Sequence, residues 1–392
     1  MRTAAHFPLH CPLSRPGARD GLDKFFIGFI MVTALTLSLT LTLTTKFLSP
    51  RTAFMHVTLK DVAQRAGVSA KTVSRVVNNQ GEISDQTRVR VQSAIQELGY
   101  RPNILARSLV HQRSNTLAVV ASGIEYFGPS RTLLGIEQQA NAFGYSLSLN
   151  LVHDPQEPRV LPLLDELVAR RVDGIVWAVP EIGSNRDWIT LARLDNVPPI
   201  VFLSMASRPN LSIVAVDNRA GAQIATQHLY AQGRRRIGII TGPLSWWEAR
   251  ERLAGWKATL TALGLKPSKA LIAEGNWSPA SGERAMEQLL GASPKLDALF
   301  CSNDQMALGA LGVLHRAGRR VPEDIAIVGF DNIPESEFFL PPLTTVYQQV
   351  IDIGRIAVQE LHERIQAERE PRNGKLPEMT QLTPTLICRA SS

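Results

Sequence analysis

The stretch from Val57 to Leu109 constrains the fold of this chain more than any other part of it. It opens with VTLKDVAQRAGVSAKTVSRVVN. Thr58 is a favourable N-cap for a first helix, and Asp61 stands three residues later, at the position of a capping-box acid. Gly67 permits the tight turn that ends this helix, and Ser69 is placed to cap the next one. The pattern predicts two short helices joined by a glycine turn.

The second helix, AKTVSRVVN, has one apolar and one polar face. Val73, Val76 and Val77 fall at helical spacing and point inward. A third helix, predicted between Ser84 and Gly99, completes a small apolar core, and in this stretch Lys and Arg outnumber Asp and Glu. A generic three-helix bundle shares part of the pattern, but the order of capped helix, glycine turn and polar helix favours a DNA-binding headpiece. The residues left on the outer side are Ala70, Lys71, Ser74, Arg75 and Asn78.

The headpiece carries a family resemblance that extends to the end of the chain. TLKDVAQRAGVSAKTVSRVVN resembles the headpiece of the LacI/GalR family of bacterial transcription regulators. The likeness continues, in order, in ITGPLSWWEARERLAGW, EGNWSPASG, SNDQMALGAL, IVGFDNIPES and PPLTTVYQQ. The resemblance implies a helix-turn-helix headpiece over residues 55–101. The residues expected to contact double-stranded operator DNA there are Thr58, Ser69, Ala70, Lys71, Thr72, Ser74, Arg75 and Asn78.

The roles expected of these residues differ with their side chains. Arg75 suits bidentate contact with guanine, and Lys71 can reach guanine acceptors or a phosphate. Ala70 can contact a thymine methyl group. The residues expected mainly to position the helix on phosphates are Ser69, Thr72, Ser74 and Asn78.

A second DNA-binding element is expected within residues 102–115, a hinge helix and linker. The proline rule makes Arg101 extended, so Asn103 can N-cap ILARSLV, a helix too short to be stable alone. The resemblance implies that this helix orders on DNA, pairs with its twin in a dimer and enters the minor groove. It also places Leu109 as a wedge between central base pairs. Taken alone, Leu109 fits an ordinary packing residue better.

Residues 1–54 do not fit the same pattern. The segment 25–45 is uncharged and long enough to span a bilayer. It can be a membrane anchor, a signal peptide, or translated sequence upstream of a working start at Met55. We favour the last, because Met55 lies just ahead of VTLKDVA, where family members usually begin, and because LTLSLTLTLTT is of low complexity. The expectation is a non-native or unstructured extension on a cytoplasmic protein.

From about Thr116 the chain alternates strand-like and helix-like segments. Apolar runs such as LAVVAS, GIVWAV, RIGIIT and IAIVGF alternate with amphipathic segments, which predicts α/β lobes with doubly wound parallel sheets. The resemblance implies a two-lobed, periplasmic-binding-protein-like core over residues 116–392, with crossings near Asp217, Gln348 and Pro377. The N-lobe would then comprise about 116–216 and 350–377. The C-lobe would comprise about 217–347 and 378–389.

Ligands of such sheets bind at the carboxyl ends of the strands, where several polar and aromatic residues of this chain stand. An arginine, an amide, a carboxylate and an aromatic ring that converge on one cleft suit a sugar. Singly, each has an ordinary structural role open to it, such as Asn303 capping a helix. The resemblance assigns effector contact to Ser122, Arg252, Trp277, Asn303, Asp331 and Gln348.

The expected pocket also departs from the family pattern. Ser204 replaces a sugar-binding aspartate of one sugar-responsive member, and Val216 and Val350 replace two of its aromatic residues. The pairs Tyr126–Phe127 and Trp246–Trp247 offer other rings, so Trp246 joins the expected effector-binding residues. The two tryptophans can instead pack on the lobe surface. A galactoside, a glucoside and a short oligosaccharide all remain open.

The remaining sequence features bear on the class of function. The net charge of +7 favours a polyanionic partner. Cys11, Cys301, Cys388 and the eight histidines show no metal-ligand spacing, and no nucleophile–base motif is present, so we expect no cofactor, no metal and no enzyme. The chain ends in LTPTLICRASS without a leucine heptad, which favours a homodimer over a tetramer.

The predicted function is a repressor of carbohydrate-utilisation genes that a sugar effector releases from a pseudopalindromic operator. The opposite effect, in which the effector strengthens operator binding as a co-repressor, stays open. The alternative is a membrane-tethered or exported sugar receptor that uses the same two lobes. Such a receptor would have no use for the headpiece.

Overall fold

The computed structural model describes residues 57–78, 80–101, 113–156, 160–367 and 378–392. The expected extension over residues 1–54, with its apolar segment 25–45, lies outside these ranges, as do the hinge positions Asn103 and Leu109. The chain divides into two compact units, Met1–Pro102 and Asn103–Ser392. None of the helices in the described ranges has both the length and the apolar character needed to cross a membrane.

The headpiece contains the three predicted helices. The Asp61 carboxylate accepts the Thr58 N–H at 2.7 Å, and Thr58 Oγ1 accepts the Asp61 N–H at 3.4 Å, which completes the expected capping box. Val62, Val73 and Val91, one from each helix, are completely buried and share one core. The helices are Leu59–Ala66 (α1), Ala70–Val77 (α2) and Asp85–Leu98 (α3).

The N-lobe is a six-stranded parallel sheet covered on both faces. Alternate residues of the strand Thr116–Ala121 (β1) face opposite sides: Val119 packs towards helices Phe127–Ala142 (α4) and Val350–Ala367 (α11), and Val120 towards Val160–Ala169 (α5). The strand order is β2-β1-β3-β4-β5-β11. Its elements are β1 Thr116–Ala121, α4 Phe127–Ala142, β2 Ser146–Leu151, α5 Val160–Ala169, β3 Gly174–Ala178, α6 Leu191–Leu194, β4 Ile200–Leu203, β5 Ser212–Val216, α11 Val350–Ala367 and β11 Met379–Leu382.

The C-lobe repeats this architecture. Its strand order is β7-β6-β8-β9-β10-β12, parallel except for β12, which runs antiparallel to β10. The strand order in each sheet therefore reverses beside its first strand, at β1/β3 and at β6/β8. Ligands of such folds bind at the carboxyl ends of the strands next to this reversal. The elements are α7 Asn218–Ala231, β6 Ile237–Thr241, α8 Trp247–Ala262, β7 Ile272–Glu274, α9 Pro279–Ala292, β8 Ala298–Cys301, α10 Asp304–Arg316, β9 Ala326–Asp331, β10 Thr344–Tyr347 and β12 Thr385–Ile387.

One predicted lobe boundary is wrong. The expected third crossing, near Pro377, would put all of residues 378–389 in the C-lobe. Instead β11 pairs in parallel with β5 of the N-lobe, and only β12 joins the C-lobe sheet. Pro384, which cannot donate a ladder hydrogen bond, separates the two strands. The chain therefore crosses between Leu382 and Thr385.

Candidate functional site

Helix α2 of the headpiece presents two cationic side chains to solvent. Lys71 and Arg75 are both exposed and stand four residues apart, so they project from one face of the helix. Ala70, which was expected on the outer side, is half-buried, because it packs against the headpiece core. A cationic face on a short helix is suited to a DNA groove.

The hydroxyl groups at the start of this surface also stabilise the headpiece itself. Ser69 Oγ accepts the Thr72 N–H at 3.1 Å and lies 2.9 Å from Thr72 Oγ1. Thr58 Oγ1 donates to the Asp61 carboxylate at 2.7 Å, and Asn78 Nδ2 donates to Ser74 Oγ at 3.3 Å. These side chains therefore fix the helices internally, whatever further contacts they make.

In the core unit, a cavity lies between the two lobes at the carboxyl ends of their strands. It encloses about 930 Å³ of empty space, part of which is open to solvent. Six of the seven expected effector residues line it: Trp246, Arg252, Trp277, Asn303, Asp331 and Gln348.

Arg252 is the buried cation of the cavity. Its Nε donates to Asn218 Oδ1 at 2.8 Å, and one terminal nitrogen donates to the carbonyl oxygen of Ser302. The guanidinium lies 3.8 Å from the centroid of the Phe330 ring. Burial lowers the pKa of Arg252, and the nearby carboxylate of Asp331 counteracts that effect. The arginine is therefore held in one orientation before any ligand enters.

Asp331 and Gln348 form the polar pair beside this arginine. Gln348 Nε2 donates to Asp331 Oδ1. Burial raises the pKa of Asp331 to about 7, although Arg252 and the hydrogen bond from Gln348 favour its charged form. A carboxyl group near its midpoint at neutral pH can either accept or donate a hydrogen bond to a ligand hydroxyl.

Trp277 supplies an indole ring to the lining. Its backbone has φ +71°, and Asn303 Nδ2 donates to its carbonyl oxygen at 2.9 Å. Asn303 Oδ1 accepts the Met306 N–H, so this residue both caps α10 and fixes the tryptophan. Ser204 and Asp331, which also line the cavity, likewise have positive φ. Left-handed backbone at three non-glycine residues of one cavity is typical of functional sites.

Trp277 also requires a glycine beneath it. A Cβ atom added to Gly242 would lie 2.1 Å from the Trp277 ring, far inside van der Waals contact. The turn after β6 therefore has no side chain at this point, and the indole packs directly on the backbone. Without a glycine here, the ring could not keep this position.

Two expectations from sequence need correction, and several residues were missed. Ser122 is buried after β1 but is not among the lining residues; Gly123 turns the chain there, and Tyr126 onwards forms the wall. Trp247 is buried away from the lining, whereas Trp246 belongs to it. The missed lining residues include Asn218, Glu248 and Gln305. Glu248 could have been predicted from sequence, because it precedes Arg252 by four residues on one helix and so lies on the same face.

The lobes are joined beside the cavity by main-chain hydrogen bonds. The Gly183 N–H donates to Ser245 O and the Trp247 N–H to Glu181 O, both at 3.0 Å. Between them, Ile182 and Trp246 form an isolated antiparallel bridge. Any separation of the lobes at this edge of the cavity must break these bonds.

The carboxyl groups of the cavity predict a pH dependence of stability. Burial raises the pKa of both Glu248 and Asp331 to about 7, above their unfolded values near 4. The folded state therefore binds more protons between these values, and this contribution to stability is lost as the pH rises through 7. Glu248→Gln should raise the melting temperature of the core by about 2–4 °C at pH 8, and have little effect at pH 4.

Scanning calorimetry at the two pH values measures this difference. Glu251→Gln is the matched control, because Glu251 lies on the same helix and pairs outside the cavity with Arg219. An equal shift at both pH values would contradict the raised pKa of Glu248.

A small helix-turn-helix headpiece attached to a two-lobed core with an interlobe cavity defines a ligand-responsive DNA-binding regulator. The model of the lacI family of bacterial regulatory proteins matches residues 58–103, and the model of the periplasmic binding protein-like domain matches residues 226–392. Both the predicted family and the predicted fold class are confirmed.

The curated relatives agree. The chain is 34% identical over 321 residues to the lactose operon repressor of Escherichia coli strain K12, covering 82% of this chain and 88% of that protein. It is 36% identical over 337 residues to the HTH-type transcriptional repressor PurR of Haemophilus influenzae strain PittEE, covering 85% and 98%. The chain belongs to the LacI family, and it is a DNA-binding transcriptional regulator.

A solved structure gives the same result. The Lac repressor dimer bound to operator and the anti-inducer ONPF is similar with a TM-score of 0.76 and 32% identity, over 86% of this chain and 98% of that chain. These relatives are transcriptional repressors rather than enzymes.

Proposed function

We propose that this regulator is a homodimeric repressor of carbohydrate-utilisation genes, released from a pseudopalindromic operator by a sugar effector. The observation that carries the sugar assignment is the cavity between the lobes. It combines a preoriented arginine, a carboxyl–amide pair and an indole face in one lining. Charged and amide groups bind hydroxyls, while the apolar face of a sugar ring stacks on an aromatic ring.

The switch we propose acts through the lobe contact beside the cavity. A ligand that bridges the lobes changes their separation, and so favours or breaks the hydrogen bonds between residues 181–183 and 245–247. The effector must bind the two arrangements with different affinity, and a coupling of about 1–3 kcal/mol is typical of such systems. In our proposal, residues 102–115 transmit the change to the headpiece. A co-repressor would use the same contact with the opposite preference.

Exposed apolar side chains support the homodimer. Leu149 and Leu151 lie on the edge strand β2, and Phe338 and Leu340 are 76% and 90% exposed in the C-lobe. A dimer interface would remove these apolar side chains from water. Sedimentation equilibrium should give a dimer in the absence of DNA. A stable monomer or tetramer would refute this part of the proposal.

The sugar assignment is tested by screening mono- and disaccharides for an upward shift of the melting temperature. The operator is obtained by selection from random DNA, and its release is followed by fluorescence anisotropy. A saccharide that stabilises the core and changes operator affinity supports the proposal. If only a nucleobase or nucleoside does both, the effector class is wrong while the regulator assignment stands.

Arg75→Ala tests the DNA-binding surface. We expect operator affinity to fall about tenfold to a hundredfold and the preference at one base pair to relax, because a bidentate arginine–guanine contact contributes about 1–3 kcal/mol. Arg65→Ala is the matched control, since Arg65 is an exposed cation on α1 that pairs with Glu97. Anisotropy titrations against operators with single base changes measure both effects. If affinity falls equally for all operators, Arg75 contacts only phosphate.

The proposal places the protein in the cytoplasm, at DNA, and gives it no catalytic role. Fractionation of cells that express the full chain tests the location. Recovery in the membrane fraction would favour the receptor alternative instead.

A further inference from the structure

Two helices that border the cavity begin with an aromatic residue at the capping position. Tyr126 is the N-cap of α4 in the N-lobe, and Trp246 is the N-cap of α8 in the C-lobe. Neither side chain makes a capping hydrogen bond. Ser, Thr, Asp and Asn are favoured at this position, because they bond to the first N–H groups of the helix. Neither N-cap side chain therefore bonds to the first N–H groups of its helix, although the Trp247 N–H of α8 donates to Glu181 O.

The two rings meet each other across the lobe boundary. Tyr126 and Trp246 are arranged edge to face with their centroids 6.1 Å apart. Trp246 makes the same kind of contact with Trp277, at 5.8 Å. All three rings line the cavity and form a continuous aromatic wall that runs from one lobe to the other. One ring is enough to stack the face of one sugar, so the wall offers surface for more than one.

Glu248 adds an acceptor beside this wall. It lies two residues after Trp246 and one helical turn before Arg252, and it lines the cavity. Its Oε2 atom is buried and has no hydrogen-bond partner within the described residues. Asp331, in contrast, accepts a hydrogen bond from Gln348. A buried carboxylate oxygen is destabilising until a donor reaches it, and a ligand hydroxyl is such a donor.

We propose that the effector is a disaccharide whose second ring is held by Tyr126, Trp246 and Glu248. This rests on the proposed function, in which the cavity binds a sugar. The first ring lies against Arg252 and Asp331. The second ring stacks on the aromatic wall and donates a hydroxyl hydrogen bond to Glu248. Because Tyr126 belongs to one lobe and Glu248 to the other, the second ring connects the lobes.

Titration calorimetry on the full chain tests this with matched sugars that share their non-reducing ring: glucose with cellobiose and with maltose, and galactose with lactose. The wild type should bind one disaccharide at least about tenfold more tightly than its monosaccharide. Trp246→Ser removes the ring but supplies a good N-cap, so α8 keeps its stability. Trp246→Ser and Glu248→Gln should each lower disaccharide affinity about tenfold and change monosaccharide affinity less than about twofold.

Glu251→Gln, on the same helix, should leave both affinities unchanged. An equal loss for the disaccharide and its monosaccharide, or no loss for either, would overturn the second subsite while the sugar effector stands. If the wild type binds none of these sugars, nor any other saccharide in a thermal-shift screen, the proposed function fails instead.

Discussion

Arg252→Ala should abolish the response to the effector while the protein still binds its operator. The side chain lies within the cavity, bonded to Asn218 and Ser302, and it counteracts the effect of burial on the Asp331 carboxylate. Loss of hydrogen bonds from a buried charged group should lower effector affinity about a hundredfold. The hydrogen-bond partners of Arg252 lie in the core unit, so we expect operator affinity without effector to be retained.

The core should remain folded in this variant, because Asp331 can take up a proton near neutral pH once its cation is gone. Circular dichroism and anisotropy with and without effector measure folding and response separately. Arg219→Ala is the matched control, since Arg219 is an exposed cation on α7 next to Asn218. Arg252→Lys keeps the charge but loses the planar fork, so it should restore only part of the affinity. Release of Arg252→Ala at the wild-type effector concentration would disprove the role of this cavity.

Gly242→Ala should have the second largest effect, although it adds a single methyl group. The new Cβ would lie 2.1 Å from the Trp277 ring, so the indole must leave its place in the cavity wall. Overpacking of this kind costs about 1–3 kcal/mol, and the melting temperature should fall accordingly. Effector affinity should fall with it, since the displaced ring no longer presents its face.

Gly291→Ala is the control for this substitution. Gly291 lies in α9 with open space around the corresponding Cβ position, and alanine favours a helix. It should therefore raise stability slightly and leave effector affinity unchanged. Tryptophan fluorescence, calorimetry and effector titration measure the three effects. A Gly242→Ala protein with wild-type effector affinity would show that the Trp277 ring does not contact the ligand.

Local patterns predicted the headpiece well because its determinants lie close together in the chain. The capping box of Thr58 and Asp61 joins residues three positions apart, and the Gly67 N–H bonds to carbonyl groups three and four positions before it. The capped polar helix after Ser69 is equally local. Such contacts form whatever the rest of the protein does, so sequence specifies them directly.

The positions of the strand ends predicted most of the residues that line the cavity. The errors arose where the position of a residue or strand depends on contacts between segments distant in the sequence. Residues that follow parallel strands meet at one edge, which placed Asn303 and Asp331 correctly. Glu248 was missed because a helix start, not a strand end, brings it there. Asn218 was missed although it follows β5 by two residues, as Asn303 follows β8. The partner of β11 was also missed. Nothing in the short run MTQL distinguishes pairing with β5 from pairing with β10, and only the tertiary fold decides it.

The crossing after β11 limits how the lobes can move. Only Thr383 and Pro384 separate β11 from β12, and two extended residues span at most about 7 Å. The proline ring also fixes one backbone torsion within that tether. This connection therefore limits how far the lobes can separate where the chain crosses from β11 to β12. A connection this short favours rotation of one lobe relative to the other over their separation.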